Sequence, residues 1–235
     1  MRGLFVTGTD TGAGKTVVAA AVCAALRARG DRVAAYKPVV TGLDEPDAVW
    51  PMDHALLAAC TGSDAAAVTD ETFAPPLSPH RAAALAGRTL DPAALVARAR
   101  GAGDAAEILV AEGVGGLLVP LTLGYLVRDL AVDLGLPVVV AARPGLGTIN
   151  HTLLTLEAAR AAGLRVAGVA MGPWPDEATD GVDAARAAEA ARANAEAIEA
   201  IGAVTVTPMP RVPRPEVDAL AGAGATLPLD AWLDA

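Results

Sequence analysis

The chain has 235 residues, 53% of them hydrophobic but only 3% aromatic, and a formal net charge of −9. That length and an apolar mass of Ala, Val and Leu suit helices packed on buried parallel strands better than an aromatic-rich β-sandwich. The acidic excess (27 acidic against 18 basic residues) argues against a general nucleic-acid surface, and the apolar content against intrinsic disorder.

In chain order, Gly3–Thr7 reads as a strand, Lys15–Arg29 as a helix and Arg32–Tyr36 as a second strand. Asp53–Cys60 and Asp91–Arg100 read as helices, Glu107–Ala111 as a strand, Tyr125–Leu134 as a helix and Pro137–Ala142 as a strand. Thr148–Ala162 is a helix, Arg165–Met171 a strand, Asp180–Ile201 a long Ala/Glu/Arg helix, and Ala203–Val206 a last short strand. Continuous apolar strands alternating with amphipathic helices imply a parallel sheet covered on both faces. The Pro-rich pieces, Pro75–Pro79 and Pro208–Pro215, read as loops over the carboxyl edge of that sheet. The expectation is therefore one doubly wound, mostly parallel α/β domain over residues 1–235. The longest apolar stretch, around Leu134–Ala142, is broken by Pro137 and too short to span a membrane. Arg2 leads straight into Leu4-Phe5-Val6 without the pattern of a signal peptide. Cys23 and Cys60 read as buried reduced thiols, so a cytoplasmic protein without membrane or nucleic-acid partners is expected.

Only two of the 18 basic residues are lysines, Lys15 and Lys37, and the remainder are arginines. Where composition favours arginine so strongly, a retained lysine marks a place that needs a compact ammonium. Lys15 lies in Gly8-Thr9-Asp10-Thr11-Gly12-Ala13-Gly14-Lys15-Thr16, between a strand and a helix. In the usual phosphate loop, G-x-x-x-x-G-K-[ST], the first glycine would stand at position 9, which is Thr here, with Gly8 one place early. The rest fits: small residues let backbone N–H groups surround phosphate oxygens, Lys15 reaches the β/γ-phosphates, and the Thr16 hydroxyl is placed for Mg²⁺.

Lys37 falls in Tyr36-Lys37-Pro38-Val39-Val40-Thr41-Gly42, at the carboxyl end of the second strand. That edge faces the ligand crevice in an open α/β sheet, so Lys37 and Thr41 are expected to point into it. Asp53, which would also serve as a helix N-cap, and Glu112, placed just before Gly113-Val114-Gly115-Gly116, are the natural carboxylate partners of a metal beside Thr16. Pro144-Gly145-Leu146-Gly147-Thr148-Ile149-Asn150-His151 opens a helix whose free N–H groups suit a carboxylate or phosphate, although capping by Thr148 would also explain it. His54, His80 and His151 are too scattered for a zinc site, and His54, His80 and Arg143 receive no role.

The Gly8–Thr16 run, Tyr36-Lys37-Pro38-Val39 with Thr41-Gly42, Thr72-Phe73 with Ser78-Pro79-His80, Glu112-Gly113 with Gly115-Gly116, and Leu146-Gly147-Thr148-Ile149-Asn150-His151 resemble dethiobiotin synthetases. The motifs stand in the same order at similar spacing, and the likeness covers about the first 175 residues. The resemblance implies a phosphate-loop fold and an ATP- and Mg²⁺-dependent cyclo-ligase of biotin synthesis. Such an enzyme joins 7,8-diaminopelargonic acid and CO₂ into the ureido ring of dethiobiotin through a carbamate and a carbamic-phosphoric anhydride. It further implies Lys37, Lys15 and Thr11 as catalytic residues, and Thr16, Asp53 and Glu112 as the metal set. Gly12, Ala13, Gly14, Lys15, Thr16, Val17, Asp53, Glu112, Gly113, Val114, Gly115, Gly172, Pro173 and Pro208 are implied at the nucleotide. Lys37, Thr41, Gly147, Thr148, Ile149 and Asn150 are implied at the substrate, with Gly147–Asn150 reaching it across a homodimer interface.

The chain departs from that family in two places. Gly172-Pro173, followed by Trp174, stands where an Asn-Asp pair often reads adenine, so a relaxed base preference that admits other nucleoside triphosphates is expected. Gly145 replaces a lysine found in some members. The competing reading is a nucleotide-driven switch of the chromosome- or septum-positioning type. Those proteins carry a signature lysine near the start of the loop, where this chain has Asp10, and often a basic amphipathic tail that is missing here.

Overall fold

A computed structural model describes residues 1–45, 47, 49–175 and 183–235. Its centre is a six-stranded sheet built from β1 (Gly3–Gly8), β2 (Val33–Tyr36), β5 (Ile108–Glu112), β8 (Val138–Ala142), β9 (Val166–Met171) and β10 (Val206–Pro208). The spatial order is β10-β9-β8-β1-β5-β2, and every pairing is parallel. β1, β5 and β8 are buried along their whole length, which is why they read as unbroken apolar runs.

Alternate residues feed opposite faces. Leu4, Val6, Val110, Val139 and Ala141 join the core under α1 (Lys15–Ala28) and α2 (Asp53–Thr61). Phe5, Leu109, Ala111, Val138, Val140 and Ala142 join the core under α5 (Pro92–Asp104), α6 (Val127–Leu134), α7 (Thr148–Ala161) and α8 (Ala184–Gly202). The first layer is completed by α9 (Val217–Gly224) and α10 (Leu229–Leu233), and Trp232 is fully buried against it. Gly224 lets α9 approach α1 closely, since a Cβ there would stand 2.1 Å from the Ala21 carbonyl oxygen.

β1 lies between β5 and β8, and the connections from its neighbours leave in opposite directions, so the crevice at its carboxyl end is the switch point of the sheet. Short elements build a rim there. β3 (Val40–Thr41) pairs with β4 (Thr72–Phe73), α3 (Ala65–Val68) lies in the chain between them, and α4 (Pro79–Leu85) follows β4.

Several boundaries differ from the sequence expectation. Tyr125 and Leu126 form β7, antiparallel to β6 (Pro120–Thr122), so α6 begins only at Val127. Asp91 caps α5 by accepting from the Ala93 N–H at 2.9 Å, and the helix runs on to Asp104. Ala203, at φ 43°, ends α8 in the left-handed region, and the last strand starts at Val206 rather than there. Pro208 therefore closes β10 instead of opening a loop, a position allowed because β10 is an edge strand. The expected helix start at Asp180, with the residues up to 182, lies outside the described residues. Among the described residues no helix is long and apolar enough to cross a membrane.

Candidate functional site

The turn from β1 into α1 is built by glycine. Gly12 and Gly14 adopt φ of 71° and 86°, and Gly14 is the N-cap of α1 with no side chain capping it. The first amides of α1 are thus left for a ligand, with the positive end of the helix dipole behind them. Gly8 has a different task. A Cβ there would sit 2.8 Å from Lys15 Cγ, so the missing side chain is the space through which the lysine stem passes. Lys15 folds back and donates to the Asp10 carbonyl at 2.9 Å. Burial, then the charge of Lys37, lower its pKa to about 8 against the opposing pull of Glu112, Asp53 and Asp10.

Lys37 lies at the end of β2 and is 2% exposed. Its ammonium donates to Asp53 Oδ2 at 2.6 Å, Glu112 Oε1 at 2.5 Å and the Gly113 carbonyl at 3.1 Å, which uses all three of its hydrogens. Thr16 Oγ1 stands 2.9 Å from Asp53 Oδ1 and 2.8 Å from Glu112 Oε1, sharing one hydroxyl hydrogen between them. Residues 16, 37, 53 and 112 thus meet at one point although they come from α1, the position just after β2, α2 and β5.

Burial works to lower the Lys37 pKa, but the charges and hydrogen bonds of Asp53 and Glu112 outweigh it and hold it raised. Burial likewise works to raise Asp53, and Lys37 with Thr16 overcomes it. For Glu112, fully buried, desolvation wins over Lys37 and its pKa is raised. Asp53 is not the N-cap of α2: Met52 holds that position, which frees both Asp53 oxygens for Thr16 and Lys37.

Lys15, Thr16, Lys37 and Asp53 face a cavity of about 590 Å³ lined also by Thr11, Gly12, Gly14, Val17, Thr41, Val114, Gly115 and Pro76–Pro79, with Glu112 buried behind Lys37 and Thr16. Glu112 Oε2 is buried and has no hydrogen-bond partner among the described residues. An unpartnered carboxylate oxygen beside Thr16 Oγ1 and a second carboxylate is the hard oxygen set that suits Mg²⁺, so the residues fit that ion.

A second, apolar cavity of about 250 Å³ adjoins the first. It is lined by Ala13, Gly14, Val17, Val18, Gly172, Pro173 and Met209–Val212, together with Trp50, which borders both spaces. Ala13, Gly172 and Pro173 are thus brought to a site beside the phosphate loop. Pro208 is not: it is exposed at the end of β10, and the four residues after it form the wall.

The Gly147–Asn150 segment is elsewhere. Gly147, at φ 90°, is the N-cap of α7 without a side-chain cap, so Thr148 does not cap the helix; it is buried at the first helical position near Thr152. Thr148 borders a third cavity with Thr9, Arg143 and His151, whereas Gly147, Ile149 and Asn150 line none of the three. The Pro75–Pro79 loop expected over the carboxyl edge of the sheet supplies Pro76 and Leu77 to the first cavity, whereas Trp50 was missed by sequence reasoning. One of only three tryptophans, three residues before Asp53 in a Pro/Asp-rich stretch, was the signal available.

An uncapped glycine turn at the switch point of a parallel sheet, with its lysine, hydroxyl and acidic partners, defines a phosphate-loop α/β protein. A family model described as an AAA domain matches residues 2–215. The chain is 47% identical over 173 residues to the ATP-dependent dethiobiotin synthetase BioD of Anaeromyxobacter dehalogenans strain 2CP-C, covering 73% of this chain and 76% of that one. It is 46% identical over 178 residues to the protein of the same name from Mycobacterium avium strain 104 (75% and 76%), and 40% identical over 192 residues to that of Bacillus licheniformis (77% and 79%). The chain belongs to the dethiobiotin synthetase family. Among solved structures, the Pyrococcus furiosus cell division ATPase MinD is similar at TM-score 0.54 and 18% identity, covering 96% of this chain and 98% of that one. At that identity the likeness shows the fold alone, and it gives the switch reading no support.

Proposed function

We infer that the chain is an ATP-dependent ligase of biotin biosynthesis that closes the ureido ring of dethiobiotin from 7,8-diaminopelargonic acid and CO₂. The observation that carries this reading is the convergence of the two lysines, Lys15 and Lys37, on one cavity with Thr16 and Asp53, the buried Glu112 bonding Thr16 and Lys37. In this reading one amine of the substrate adds to CO₂ and loses a proton, giving a carbamate anion. The carbamate oxygen takes the γ-phosphoryl group of the nucleotide. The second amine then attacks the carbonyl carbon, closes the ring and expels phosphate.

Each step has a residue suited to it. The free amides of Gly12–Thr16 and the Lys15 ammonium hold the triphosphate and neutralise the charge that moves during transfer. Thr11 and Thr41, which both line the cavity, offer hydroxyls to the carbamate or the transferred phosphoryl. Lys37 supplies a point charge to the carbamate once its hold on Asp53 and Glu112 is given up. Thr16, Asp53 and Glu112 would hold Mg²⁺, whose chemistry when bound is to withdraw charge from the phosphate oxygens. Both nucleophiles belong to one substrate, so much of the work is positioning.

The carboxylate end of the substrate would be held by Gly147–Asn150 of a second copy, because none of these four residues lines the cavity beside the phosphate loop in its own chain. One α/β domain over residues 1–235, acting in the cytoplasm on small molecules, completes the reading. The test is mass-spectrometric detection of dethiobiotin from the purified chain with diamine, bicarbonate, Mg²⁺ and nucleotide. Product that requires all four is expected. Nucleotide hydrolysis indifferent to diamine and bicarbonate, without product, refutes the reading.

A further inference from the structure

Trp50 stands at the junction of two cavities. It borders the space occupied by the phosphate-loop side chains and also the apolar space bounded by Gly172, Pro173 and Met209–Val212. The two spaces share Gly14 and Val17 at the start of α1, so a ligand whose phosphates lie on the loop amides enters the apolar space with its other end. The segment that carries the indole is fixed through its backbone. The main-chain N–H groups of Trp50 and Val49 donate to Asp47 Oδ1 at 2.9 and 2.7 Å, Pro51 follows directly, and the ring is half-buried against the α1 core.

The chemistry of the apolar space is unusual for a site that must hold a heterocycle. No side-chain amide lines it, Arg211 is the one charged residue among its described lining, and three backbone donors at its rim are already committed. The Gly172 N–H goes to Ala142, the Met209 N–H to Met171, and the Trp174 N–H to Met209, while Pro173 and Pro210 have none. Ring edges therefore find few fixed partners, whereas ring faces meet an indole and aliphatic surface. We propose that Trp50 is the base-stacking residue of the nucleotide site, so that this chain selects its nucleoside triphosphate by the π-face of the base and not by its hydrogen-bonding edge. This rests on the nucleotide reading above and names the residue that carries its base affinity. Stacking serves any base, with purines favoured over pyrimidines by ring area alone.

The experiment compares the wild type with Trp50→Leu, which keeps apolar bulk without a π-face, and Trp50→Phe, which keeps a smaller one. Calorimetry gives the affinity for ATP, GTP, CTP and inorganic tripolyphosphate, and steady-state kinetics give KM and kcat. Trp50→Leu should bind all three nucleotides about ten-fold more weakly, the loss being larger for the purines. Its affinity for tripolyphosphate should match the wild type, its KM for each nucleotide should rise with the lost affinity, and Trp50→Phe should recover most of the loss. The proposal is overturned by equal weakening of nucleotides and tripolyphosphate, which marks a structural role, or by unchanged nucleotide affinity. A more than hundred-fold preference of the wild type for one purine over the other also overturns it. Wild-type protein that binds neither tripolyphosphate nor any nucleotide refutes the parent reading itself.

Discussion

Lys37 is held by three acceptors, and replacing it by methionine shows what the ammonium does there. Methionine keeps the length and much of the volume of the stem, so the change removes charge and hydrogen bonds with little cavity formation. The Lys37 side chain is 3% exposed and that of Glu112 fully buried, whereas the Asp53 side chain is 39% exposed on the cavity wall. Removing one partner of a buried ion pair costs about 3–5 kcal/mol because the other charge is left without compensation. Here the lower end applies: Asp53 regains water, and Glu112, already driven toward protonation by burial, can take up a proton. About 3 kcal/mol in a chain of this size lowers Tm by about 6–12 °C.

The same geometry makes the ammonium a competitor for the oxygens that suit Mg²⁺. Without nucleotide, Mg²⁺ should raise the Tm of Lys37→Met more than that of the wild type. A ten-fold gain in ion affinity adds about 1.4 kcal/mol at saturating ion, or roughly 3–6 °C. Scanning calorimetry of both proteins with and without Mg²⁺ gives all four values. If the variant melts within about 2 °C of the wild type in the absence of the ion, the pairing of Lys37 with buried carboxylates is not what the distances say. If Mg²⁺ raises both proteins equally, lysine and metal do not share the site.

Two further outcomes follow from the same coordinates. Lys15 has a lowered pKa of about 8 in the free protein against an ordinary 10.5, so burial of its charge costs stability fully below pH 8 and not at all above 10.5. Stability of the free protein should therefore rise from this group between those values. Phosphates favour the charged form, so nucleotide binding near pH 8.5 should take up a proton and weaken as pH climbs; calorimetry in two buffers of different ionisation heat should show the uptake, and none refutes it. Gly224→Ala should lower Tm by several degrees, since its Cβ would meet the Ala21 backbone at 2.1 Å. Gly222→Ala, whose Cβ meets nothing within 4 Å, should leave Tm unchanged or raise it, and equal effects of the two would refute the packing of α9 on α1.

What could be read from the chain itself is what local chemistry specifies. β1, β5 and β8 are buried along their length and so are written mainly in apolar residues, and the glycine turn before Lys15 is written in residues that tolerate φ near 80°. The scarcity of lysine pointed to both ammoniums before any fold was known. Elements made by pairing alone were harder: β3, β4 and β7 are two residues each, too short for any period, and β7 was absorbed into the helix that follows it. The link between Lys37 and the two carboxylates was out of reach for another reason. Residues 37, 53 and 112 are brought together by the order of strands in the sheet, which places β5 between β1 and β2. The sequence shows three polar residues at the ends of apolar segments, each sensible as a ligand contact. Only the sheet order shows that, before any ligand arrives, they contact one another. The consequence for the chemistry is a site whose two lysines and two carboxylates are formally neutral when empty. Binding a polyanion there requires either an added cation or the release of a lysine from its carboxylates, and both act on the same oxygens of Asp53 and Glu112.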